Sequence, residues 1–129
     1  MITLISIALG GAFGAMLRYG VGGWVNALFG GTIYGGTLAV NLMGCFLMGL
    51  LWGLFEQSIL HPSFRGLTVI GILGAFTTFS SFGLENFILI RHQHWRALVA
   101  NILVNNMGGI FLVFIGYLLS RQIGTFFGR

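Results

Sequence analysis

Apolar residues run almost unbroken along this chain, and the polar interruptions leave four stretches, roughly 2 to 24, 34 to 56, 66 to 90 and 96 to 120. Each is long enough for a membrane-spanning helix, which needs about 20 mainly apolar residues. The dividing segments are the Gly30-Gly31 pair, Glu56 to Arg65 with His61-Pro62, and Arg91 to Trp95. They leave no room for a soluble domain, so the pattern predicts an all-α membrane protein, a single four-helix transmembrane domain over residues 1–129. Met1 to Ala15 lack the charged n-region and cleavage site of a secretory signal and read as the start of the first span.

Composition closes off the soluble alternative. With 57% hydrophobic residues, 6% charged ones and a mean hydropathy of +0.97, the chain has more apolar surface than a soluble fold can bury. The net charge of +4 rests on six arginines with no lysine; they stand singly, form no basic stripe and argue against nucleic acid as a partner. Cys45 is the single cysteine, which excludes an internal disulfide and a multi-cysteine metal site.

The arginines also divide evenly. Arg65, Arg121 and Arg129 fall on one predicted face of the membrane and Arg18, Arg91 and Arg96 on the other, so the usual cytoplasmic excess of positive charge gives no orientation. An inserted partner fixes it, the chain inserts both ways and pairs antiparallel with itself, or local hydrophobicity alone sets one topology. The chain has 22 glycines, and small residues recur four apart at Gly10/Gly14, Gly11/Ala15 and Gly49/Gly53. Such faces let another backbone pack closely, and four short spans enclose little interior, so a homodimer is expected.

Polar groups at membrane depth usually face a bundle interior or an aqueous cavity. Arg18 reads either as a fixed positive charge in an anion-accessible vestibule or as a snorkelling side chain at a helix end. Asn41 reads as an anion donor or as an interhelical hydrogen-bonding group. The segment 71–85, GILGAFTTFSSFGLE, is the densest: Thr77, Ser80, Ser81 and Leu84 fall on one helical face, with Phe79 and Phe82 beside it. Phenyl edges attract an anion without trapping it; the alternative is plain packing, with hydroxyls bonded back to the preceding turn. Gly71 and Gly74 predict a helix broken near its middle, unwound over 74–78, whose freed carbonyls suit a hard cation such as Na⁺. In the last span Asn101, Asn105, Gly108 and Leu112 share a face that borders the same cavity or serves as helix glue.

Three motifs at this spacing resemble the Fluc/CrcB family of small fluoride channels over essentially the whole chain: Gly10-Gly-x-x-Gly-Ala-x-x-Arg18-Tyr19, Gly36-Thr-x-x-Val-Asn41-Leu-x-Gly44, and Gly71-x-x-Gly74-x-x-Thr77-Thr-Phe79-Ser-Ser-Phe82-x-x-Glu85. The resemblance implies an antiparallel, dual-topology homodimer with two fluoride pathways in the cell inner (plasma) membrane. It implies that Phe79 and Phe82 are the pore phenylalanines, Asn41 the pore amide and Arg18 the vestibule arginine, with Ser80 and Ser81 near the pathway. It further implies that the carbonyls of Gly74 and Thr77 hold a structural Na⁺ at the dimer centre. Glu85 closes the motif either as a pore-entrance acid or as a structural acceptor. The fourth helix departs from the family: Gly109 and Val113 stand where many members carry hydroxyls. Asn105 or Asn106 then supplies the donors, the pathway is wetter, or a non-identical subunit joins.

The expected function is passive fluoride efflux, with no enzymatic activity and fluoride and the lipid bilayer as partners. The rivals are a proton-coupled small multidrug exporter, for which the first span lacks the embedded carboxylate, and a non-transporting membrane assembly subunit.

Overall fold

The computed structural model describes residues 2–30 and 33–127. Gly31 and Arg129, used above in the loop and charge readings, lie outside the described residues. Helix α1 is Ile2–Leu28 and α2 is Ile33–Glu56; α3 covers 66–76, α4 is Phe79–Arg91, and α5 covers 95–127. Four stretches are long and apolar enough to cross a membrane, the third made of α3 and α4 together. This is the expected four-span chain with a broken third helix.

Two ends differ from the sequence reading. Helix α1 continues to Leu28 rather than 24, and α5 to Phe127 rather than 120. Gly20, Gly22 and Gly23 stand inside α1 without ending it. In a bilayer a freed backbone N–H or C=O finds no water, so a helix persists through residues that end it in solution. Two stretches also wind as π-helix, Gly66–Leu73 in α3 and Val104–Gly108 in α5, which hydropathy does not signal.

The break is narrower than expected. Gly74 stays helical, with φ −62° and ψ −33°, and only Thr77 and Thr78 are extended, at φ −83°, ψ 157° and φ −150°, ψ 120°. The N–H and the hydroxyl of Thr77 both still donate to the Leu73 carbonyl, at 3.1 and 3.0 Å, which keeps the preceding turn wound. Because Thr77 precedes the break, it does not share a helical face with Ser80, Ser81 and Leu84.

Two of the three glycine faces are used inside the chain, and Gly11 looks onto open space. A side chain at Gly10 or Gly14 would strike the α3 backbone around Leu67 to Ile72, and one at Gly49 or Gly53 would strike α5 at Val113 or Ser120. These faces therefore bring α1 onto α3 and α2 onto α5, its most extensive partner, instead of marking a subunit contact. Val40, Leu73 and Phe76 form a small buried core where α2 meets α3. That core lies directly before the break, so the break begins from a fixed point.

Candidate functional site

Three hydrogen bonds explain why the third span stops at Thr77. A continuing α-helix sends each N–H to the carbonyl four residues back. The Thr78 N–H instead donates to Asn41 Oδ1 at 2.9 Å, while the Thr78 carbonyl accepts from Asn41 Nδ2 at 3.1 Å. The Ser81 N–H donates to Thr78 Oγ1 at 3.3 Å, making Thr78 the N-cap of α4. Gly74 and Thr77 are thus carbonyls whose helical donors have been drawn elsewhere. Oxygen groups freed inside a membrane segment must find another partner.

Phe79 and Phe82 open α4 with ring centroids 5.5 Å apart and planes tilted by 49°. Both border a cavity of about 280 Å³, whose wall includes Asn41, Asn105, Thr78 and Val113. The Asn41 amino group is spent on Thr78 and on Asn105 Oδ1, the latter at 3.2 Å. The Asn105 amino group is spent on the Asn101 carbonyl and side chain. Asn106, also on the wall, places one N–H on the Ile102 carbonyl at 2.7 Å, and its second has no partner among the described residues.

A second cavity of about 400 Å³ holds Arg18 with Asn26, Thr37, Thr78 and Ser81. Thr78 belongs to both walls. Its hydroxyl lies 3.2 Å from those of Ser80 and Ser81, so a hydroxyl cluster stands between the arginine and the phenyl pair. Arg18 is half-buried and well inside α1, which ends at Leu28; snorkelling from a helix end does not describe this position. The structure brings Phe79, Phe82, Asn41 and Asn105 to one cavity and Arg18 and Ser81 to the other, with Ser80 joined through Thr78. Gly109 packs beside Cys45 and Val113 lines the first cavity.

Glu85 is 5% exposed. Its Oε1 accepts from the Thr37 hydroxyl, and its Oε2 has no partner among the described residues. It lines neither cavity. Sequence reasoning placed Thr78 in the unwound stretch but did not read it as a helix cap, although a threonine just ahead of an apolar run suits that position. It also passed over Asn26, whose Oδ1 accepts from the Gly36 N–H at 2.7 Å. Nothing in the sequence pairs Thr37 with Glu85.

Comparison with known proteins adds an independent line. The family model described as CrcB-like protein, Camphor Resistance (CrcB), matches residues 5–117. A Shewanella baltica protein named Fluoride-specific ion channel FluC is 39% identical over 116 residues, covering 90% of this chain and 94% of that protein. A Chloroflexus aurantiacus protein of the same name is 41% identical over 125 residues, covering 96% and 99%.

Proposed function

Because the chain belongs to the CrcB family, we propose that it is a fluoride-specific ion channel, a multi-pass membrane protein that moves its ion passively and catalyses no reaction. The observation that carries this reading is the Phe79–Phe82 pair at the start of α4, on the wall of the cavity that Asn41 also lines.

Fluoride is small and tightly hydrated, so a pathway must replace its water with protein donors yet hold it weakly enough to release it. Arg18 makes the wider cavity positive, and the start of α4 adds the positive end of a helix dipole. The hydroxyls of Ser80 and Ser81 donate next, since Thr78 donates its own to Ser81. The edges of Phe79 and Phe82 form the neutral constriction. On α5, where hydroxyls are missing at Gly109 and Val113, the unspent N–H of Asn106 is the donor, and Asn105 acts through Asn41.

The active form is an antiparallel, dual-topology homodimer with two pathways. Its support is the even arginine division and the outward-facing ring of Phe79. The carbonyls of Gly74 and Thr77 fit a Na⁺ site, since both have lost helical donors and oxygen donors suit a hard cation. Bound there with its symmetry mates, the ion would fix the break and add positive potential. The relatives being bacterial, the location is the inner (plasma) membrane, where passive flow lowers cytoplasmic fluoride.

The test is electrogenic fluoride efflux from liposomes containing the purified protein, with chloride nearly excluded. Equal chloride flux, or none of either ion, overturns the reading.

A further inference from the structure

Four asparagine side chains from three helices bond head to tail. Asn41 Nδ2 donates to Asn105 Oδ1 at 3.2 Å, Asn105 Nδ2 to Asn101 Oδ1 at 2.9 Å, and Asn101 Nδ2 to Asn86 Oδ1 at 2.9 Å. Asn41 is on α2, Asn105 and Asn101 are on α5, and Asn86 is on α4.

The direction of this chain is forced. A carboxamide has a donor end and an acceptor end, and a partner of fixed chemistry decides which faces it. The Thr78 N–H can only donate, so Asn41 must turn Oδ1 toward it, which leaves Nδ2 for Asn105. Asn105 must then present Oδ1 to Asn41 and Nδ2 to Asn101. The Asn101 backbone carbonyl, which can only accept, receives from the same Nδ2 at 3.1 Å and independently fixes the same orientation. Asn101 in turn donates to Asn86. One backbone N–H at the helix break therefore sets four amides.

Both ends of the chain lie on the same helix. Thr78 caps the start of α4, and Asn86 sits further along it. The chain leaves α4 at Thr78, crosses α2 and α5, and returns at Asn86. Phe79 and Phe82 lie between these two anchors. We propose that Asn86 and Asn101 are positioning residues of the ion pathway: the closed amide chain holds Thr78 against Asn41 and fixes the first turns of α4, with their phenyl pair, relative to α2 and α5. Neither residue borders the phenyl cavity, and Asn101 is 7% exposed, so both act through others. Linked hydrogen bonds polarise one another in a low-dielectric interior, so loss of the terminal acceptor is felt at the far end. The pathway role rests on the fluoride-channel reading; the effect on Thr78 does not.

The experiment compares Asn86→Leu, which removes the terminal acceptor, with Asn86→Asp, which keeps an oxygen in its place. Hydrogen exchange of the Thr78 backbone N–H is followed by NMR in nanodiscs, and fluoride efflux is measured from liposomes. Asn86→Leu is expected to speed Thr78 exchange and slow efflux by about fivefold each, the factor of one neutral hydrogen bond, and Asn86→Asp to restore both in part. Simple helix glue would change thermal stability and leave Thr78 exchange alone. Unchanged Thr78 exchange in folded Asn86→Leu overturns the proposal. Should that variant not fold, side-chain amide exchange in the unsubstituted protein decides: slow exchange of Asn105 and Asn101 supports the chain, and fast exchange at Asn101 overturns it. If the unsubstituted protein passes no fluoride while Thr78 exchange still responds to Asn86→Leu, the amide chain stands and the fluoride reading falls.

Discussion

Phe79 and Phe82 stand with ring centroids 5.5 Å apart, yet Phe82 is 7% exposed and Phe79 is 79% exposed. One ring is packed into the chain that carries it. The other extends from the same cavity wall toward whatever lies outside. Two residues of one motif therefore carry different shares of the fold's stability.

Their substitutions should separate accordingly. Phe79→Ile and Phe82→Ile should each slow fluoride efflux about two- to tenfold, the worth of an edge-directed aromatic contact. Phe82→Ala should also cost about 3 kcal/mol of fold stability by opening a cavity, whereas Phe79→Ala should leave the melting temperature in detergent nearly unchanged. Unaltered efflux in both isoleucine variants removes the ring edges from the pathway.

Asn41→Leu strips Thr78 of partners for both its N–H and its carbonyl. Two buried backbone groups left unpaired should cost about 2–4 kcal/mol. The expected result is a clearly lower unfolding midpoint and loss of efflux, with helical circular dichroism retained before melting. A midpoint equal to the unsubstituted protein's contradicts the clamp.

Among the described residues, Thr37 gives Glu85 its one hydrogen bond and the other carboxyl oxygen is without a partner. Thr37→Val should destabilise by about 1–3 kcal/mol, because the whole carboxyl group is then buried unpaired. Thr37→Ser keeps the hydroxyl and should recover most of the loss. Equal stability of the valine and serine variants would show that the bond contributes nothing.

Gly14 and Gly11 are neighbours with opposite surroundings. A methyl group at Gly14 would meet the Ile72 backbone, while one at Gly11 meets open space. Gly14→Ala should cost about 1–3 kcal/mol, the usual penalty of overpacking, since a backbone neighbour cannot rotate away. Gly11→Ala should be neutral. Yield of monodisperse protein and its melting midpoint distinguish them, and equal tolerance at both positions refutes the α1–α3 contact.

If the proposed Na⁺ site is right, replacing Na⁺ by a bulky organic cation throughout purification and reconstitution should abolish fluoride efflux, and returning Na⁺ should restore it, because the Gly74 and Thr77 carbonyls have lost their helical donors. Efflux indifferent to Na⁺ argues against the cation site.

Much of this was open to reading from residues alone. Four apolar runs gave four spans, and the crowd of hydroxyls and aromatics behind Gly74 located the break to within a few residues. Arg18, Asn41, Phe79 and Phe82 stood out as polar or repeated groups where lipid-facing helices have no need of them. The Gly10/Gly14 and Gly49/Gly53 faces misled, since spacing identifies a flat surface without saying which helix covers it, whereas Gly11 faces open space. Asn86 escaped a functional reading, and Asn101 was read as bordering the cavity or as helix glue although it lies off the wall that Asn105 joins, because a hydrogen bond across helices has no signature in the order of residues.

The sequence by itself determined the solvent of this protein, its span count and the chemical inventory at membrane depth, because hydrophobic transfer and backbone satisfaction in lipid depend on local composition. Only the tertiary structure decided how that inventory is spent. It turned Asn41 toward Thr78, confined the break to Thr77 and Thr78, and used the Gly10/Gly14 face within the chain. Hydrogen bonds are short and directional, so which donor meets which acceptor is settled by how the helices pack.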